Sequence, residues 1–165
     1  MADLTYTQKA TERKASTGLV TGKGDGNSLK MLVSSTVELA PSASGATVKF
    51  GRIPSNARLS GISRVYWDDL STTGSPTLDI GLASVNANIT NDPDALSNGH
   101  VVTAADAEGA TALTDVANYG KRAWEFVNGQ TTDPGGEFDV YGSIADAATA
   151  GLTATVTLEL FGYLD

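Results

Sequence analysis

Residues 152–161 alternate without interruption. Leu152, Ala154, Val156, Leu158 and Leu160 fall on one side of an extended chain, and Thr153, Thr155, Thr157 and Glu159 fall on the other. A side-chain period of two marks a strand with one face on a core and one toward solvent. The same period returns in residues 29–39, 77–83 and 137–145. These runs are separated by turn chemistry such as Pro41-Ser42-Ala43-Ser44-Gly45, Asn128-Gly129 and Asp133-Pro134-Gly135-Gly136. No segment carries a helical period long enough for a βαβ crossover. Seven or eight turn-punctuated strands predict an all-β chain, an antiparallel β-sandwich of jelly-roll or related Greek-key type.

Within that frame the pattern assigns inward faces. In residues 29–39, Leu29, Met31, Val33, Val37 and Leu39 share a face, as one long strand or as two with a bend near Ser34-Ser35. Val48 and Phe50 point inward from a short strand at 47–50. In residues 77–83, Leu78, Ile80 and Leu82 oppose Asp79, Gly81 and Ala83. Residues 57–67 are less regular. Leu59, Gly61, Ser63, Val65 and Trp67 oppose Arg58, Ser60, Ile62, Arg64 and Tyr66, and neither face is wholly apolar. Two readings stand: a bulge at Gly61 that switches faces, or a strand covered on both sides, with Arg58, Arg64 and Tyr66 at a subunit interface, where Arg and Tyr are enriched. The polar loop after Trp67 reads as the connection of a β-hairpin or a Greek-key edge. Residues 84–113 read as strand-poor, with Asp92 capping a helical turn that opens on Pro93. A further helical turn is expected in 113–119, before Gly120. Strand character returns in residues 121–128, with Trp124 and Phe126 on one face. Phe138, Val140 and Ile144 point inward from 137–145.

Charge divides the chain. Residues 1–65 hold nine basic and four acidic side chains; residues 66–165 hold two basic and fifteen acidic. The acidic part disfavours nucleic acid and anionic membrane as partners. Residues 1–28 are polar and glycine-punctuated and read as an arm and linker ahead of a single sandwich domain, 29–165. That arm is either a frayed terminus or a segment that orders on an acidic protein surface through Lys9, Arg13, Lys14 and Lys23. No basic and apolar leader is visible, so the chain is expected in a cytoplasm or in a particle assembled there. No apolar run reaches the roughly 20 residues of a membrane helix.

Enzyme chemistry finds little support. There is no cysteine and one histidine, His100, so no disulfide, thiolate site or histidine-rich metal site is expected. Asp68 and Asp69 are adjacent and on extended chain would point apart. Asn91-Asp92-Pro93-Asp94 lacks the spacing of a calcium loop. Gly22-Lys23-Gly24-Asp25-Gly26 is neither a Walker nor a Rossmann fingerprint. Trp67, Trp124, Tyr66 and Phe126 could stack a sugar, but strand aromatics more often anchor a core or interface. No catalytic residue, metal ligand or cofactor is nominated.

Several runs resemble small structural proteins of tailed bacteriophages: Lys49-Phe50-Gly51-Arg52-Ile53-Pro54, Asn56-Ala57-Arg58-Leu59, Ser75-Pro76-Thr77-Leu78-Asp79-Ile80-Gly81-Leu82, Tyr119-Gly120-Lys121, Trp124-Glu125-Phe126-Val127-Asn128-Gly129 and Leu158-Glu159-Leu160. The resemblance extends from about residue 48 onward. It implies a sandwich component of the virion, a head decoration or cement protein whose partners are the major capsid protein and copies of itself, with a trimer expected. The alternative is a head-fibre or receptor-binding sandwich that recognises a host surface glycan through residues 84–113.

Overall fold

The structure, a computed structural model, describes residues 28–39, 45–70, 74–85, 89–145 and 153–164. Nine strands are described: β1 (Lys30–Leu39), β2 (Thr47–Pro54), β3 (Arg58–Leu59), β4 (Arg64–Trp67), β5 (Thr77–Ser84), β6 (Asp92–Val101), β7 (Asp106–Thr111), β8 (Glu137–Ile144) and β9 (Ala154–Tyr163). A 3-10 turn, Val116–Asn118, and a one-turn helix α1, Ala123–Phe126, lie between β7 and β8.

The strands form two antiparallel sheets. One runs β1-β9-β4-β7, with β3 also on β9; the other runs β2-β8-β5-β6. Apart from the β3–β4 pair on β9 and the consecutive β5 and β6, each connection crosses from one sheet to the other. This order is the jelly roll.

The core lies between the sheets, where the alternation placed it. Val156, Leu158 and Leu160 of β9 and Phe138, Val140 and Ile144 of β8 are all buried in one hydrophobic cluster. Leu78, Ile80 and Leu82 of β5 are fully enclosed. Removing this apolar area from water is the main stabilising term.

Several local expectations are corrected. Residues 57–67 and 77–83 do not form a hairpin. β4 and β5 belong to different sheets. Leu70, fully buried in the loop between them, donates its N–H to the Val102 carbonyl and closes the core there. Nor does Gly61 switch faces. Ala57, Leu59, Ser63, Val65 and Trp67 are all buried, so the odd-numbered parity survives the interruption. Leu59 pairs with Gly162 and Arg64 with Glu159, so five residue steps face three, and the extra residues bulge outward.

β1 bulges too, at Leu32 between the Met31–Phe161 and Val33–Leu160 pairs, not at Ser34-Ser35. The bulge turns Met31 (50% exposed) and Leu29 (42%) outward, away from Val33's face. Residues 92–101 are strand rather than a capped helical turn, and 106–111 are strand as well. β6 pairs with β5 only through two large irregularities: Leu78 faces His100, Ile80 faces Ser97, and Leu82 faces Asp92. That slippage destroyed the period-two signal. Residues 121–128 begin by bonding to the 55–59 backbone and then turn once as α1, because the Glu125 carboxylate accepts the Arg122 N–H at 2.7 Å and caps the turn.

Candidate binding surfaces

Two outer faces present polar and aromatic side chains. On the five-stranded sheet, β3 and β4 point Arg58, Arg64 and Tyr66 away from the core because they alternate with Leu59, Val65 and Trp67. All three are half-buried and engaged within the chain. Arg58 donates to the Gly120 carbonyl at 3.2 Å. Arg64 reaches the Ser63 carbonyl at 3.2 Å and Thr111 Oγ1 at 3.3 Å. The Tyr66 hydroxyl donates to Glu159 Oε2 at 3.1 Å, and burial, with Glu159 beside it, pushes the phenol up from its usual range. The Tyr66 ring also lies over Gly109, whose φ of 83° and lack of a Cβ leave room for it. A concavity of about 260 Å³ opens beside Tyr66, between Asp68, Asp106, Thr155 and Thr157. Thus Arg64 and Tyr66 share one patch, while Arg58 sits further along, opposite Tyr163.

The expected arm residues Lys9, Arg13, Lys14 and Lys23 lie outside the described residues.

The four-stranded sheet carries a feature that sequence reading missed. Asp139 on β8 accepts Arg52 Nε at 2.6 Å and Lys49 Nζ at 2.7 Å, both from β2, and Arg52 also reaches Glu137 at 3.4 Å. The Arg52 hydrogen bond, aided by Lys49, holds the Asp139 carboxyl below the usual carboxylate range. Beside this cluster is a cleft of about 340 Å³ lined by Thr47, Val48, Lys49, Ala83, Asn91, Asp139 and Tyr141. Burial raises the Tyr141 phenol, and Asp92 and Asp94 raise it further. The signal was present in part: if Phe138 and Val140 face inward, Asp139 and Tyr141 must face outward. What could not be read was that β8 pairs with β2 on one side and β5 on the other.

Asp92 and Asp94 are occupied locally. Asp92 Oδ2 accepts the Asn128 N–H at 2.7 Å, and Asp94 Oδ2 accepts Asn98 Nδ2 at 2.7 Å. Asp68 Oδ1 accepts the Asp69 N–H. Among the described residues, no group of three or more histidine, aspartate or glutamate side chains is placed to hold a metal ion.

No protein-family model matches the chain. No curated protein matches it either. Among solved structures it is similar to a chain of the cyanophage Pam1 capsid asymmetric unit, with 19% sequence identity and a TM-score of 0.49, over 85% of this chain and 87% of that one. The strand order itself defines the jelly roll.

Proposed function

We propose that this chain is a structural protein of a tailed-phage virion, and that it decorates and stabilises the capsid shell as a trimer. The observation that carries the reading is the run of phage-like motifs together with where they fall. Residues 49–54 lie in β2, residues 77–82 in β5 and residues 158–160 in β9, so they are framework strands of the jelly roll. The division of charge supports it: a basic N-terminal stretch precedes an acidic body, which suits attachment to an acidic protein shell through Lys9, Arg13, Lys14 and Lys23. Closed symmetry gives each trimer three arms, so weak contacts add by multivalency. The proposed role involves no catalysis.

The test combines light scattering on the purified chain with co-sedimentation on undecorated phage heads. A trimer that pellets with heads is expected. Replacing Lys9, Arg13, Lys14 and Lys23 together by glutamine should leave the trimer folded and in the supernatant. A wild-type chain that ignores heads overturns the reading, and undiminished pelleting of the variant overturns the role of the arm.

A further inference from the structure

We infer that the outer face of the four-stranded sheet is a carbohydrate site that takes a single neutral pyranose against Tyr141. Such a site is independent of capsid decoration and can be tested on the isolated chain.

The cleft follows from the sheet. Across one row, Lys49 of β2, Tyr141 of β8 and Gly81 of β5 are register partners; Asp139 pairs with Ala83 in the next. Gly81 and Ala83 leave the ring of Tyr141 without a bulky neighbour on the β5 side. Gly81 is small for a visible reason. An added Cβ would collide with the Asp92 carbonyl oxygen and the Pro93 backbone, which the irregular start of β6 folds onto this face. That fold makes a wall at the far side of Tyr141 and brings Asn91 to the rim; Lys49 and Asp139 line the near side.

The chemistry selects the ligand. A pyranose presents an apolar C–H face and a rim of hydroxyls, which suits an amphipathic phenol ring beside amide, ammonium and carboxylate groups. The Tyr141 hydroxyl makes no hydrogen bond to the described residues. Lys49 and Arg52 are balanced by Asp139 and Glu137, so the face carries no surplus charge for an anion. Asp92 and Asp94 nearby and the chain's net charge of −8 further disfavour phosphorylated or acidic ligands. The volume of about 340 Å³ is at the lower end of small-molecule sites. A glycan would therefore be read by the sheet, with Asn91 the one lining residue from 84–113.

The test is an amide-resolved NMR titration of the full chain with the methyl glycosides of glucose, galactose, mannose and N-acetylglucosamine, each to about 50 mM. At least one should bind saturably at about millimolar strength. Shifts should centre on Val48, Lys49, Ala83, Asn91 and Tyr141. Tyr141→Ala should weaken binding at least tenfold, and Asn91→Ala, an exposed position, should weaken it severalfold with the rest of the spectrum unchanged. The absence of saturable shifts with all four sugars overturns the inference. So does binding that maps elsewhere, or binding that Asn91→Ala leaves untouched while Tyr141→Ala fails to fold.

Discussion

Ser63 shows how much one hydroxyl can decide. It is fully buried among apolar residues of the core-facing set. The extra residues between β3 and β4 open a gap in the ladder with β9, and Ser63 fills it. Its Oγ accepts the Phe161 N–H at 3.0 Å and donates to the Ser60 carbonyl at 2.7 Å. An apolar residue here would leave a buried N–H unpaired, which costs about 1–3 kcal/mol. Ser63→Ala should therefore lower stability by that amount in urea denaturation, with little change in slope. Ser34→Ala, exposed on β1, should stay within about 0.5 kcal/mol of wild type. Equal effects of the two substitutions would refute the gap-filling role. The alternation put Ser63 on the face of Leu59, Val65 and Trp67 but did not settle which face is inward, and nothing local said why a hydroxyl was wanted there. The reason is on β9, 98 residues away.

At the scale of elements, β6 is the strand that local signals misread. Asp92-Pro93 looks like a helix start because the same acceptor and the same fixed φ serve both purposes. In the structure the Asp92 carboxylate accepts a distant amide, Asn128, at the turn after α1. Pro93 is tolerated because β6 is an edge strand. Leu96 is buried and its carbonyl accepts the Thr114 N–H, which ties β6 to the segment after β7. Burial, the largest influence, raises the Asp92 carboxyl above its ordinary value. Asp92→Ala should expose the Asn128 amide. Its hydrogen exchange should quicken by at least tenfold, while amides in the centre of β9 change far less. Unaltered exchange at Asn128 would show that the bond does not hold the turn.

At the scale of the molecule, a ring contact links the two sheets, His100 of β6 against Trp67 of β4. The rings lie 5.4 Å apart, and Trp67 Nε1 donates to the Ala104 carbonyl at 2.9 Å. His100 Nε2 is buried with no hydrogen-bond partner among the described residues. Burial lowers the imidazole below its ordinary value near 6.5; Asp79 and Asp106 act against this and are outweighed. A lowered folded-state value means the unfolded chain protonates first. Stability from this group is full above about pH 6.5 and is lost as the pH falls from there toward the folded value. The melting temperature should drop between pH 7.5 and 5.5, and His100→Gln should flatten that part of the curve. A wild-type profile that the substitution leaves unchanged would rule His100 out as the cause.

Sequence alone determined which side chains of β5, β8 and β9 face inward and that the chain is a sandwich. Alternation is local: a strand's side chains take opposite sides whatever lies next to it, so Leu158 and Phe138 could be placed inward before any partner was known. Tertiary structure decided the partners. Backbone hydrogen bonds between strands are alike for every residue type, so nothing local told β8 to pair with both β2 and β5, or separated β4 from β5 into different sheets. Bulges at Leu32 and along β6 shift register by whole residues, and each is stabilised by the strand opposite. The cleft at Tyr141 exists only because of those pairings. Its residues come from three strands and from Asn91 just ahead of β6, and only their register brings them together.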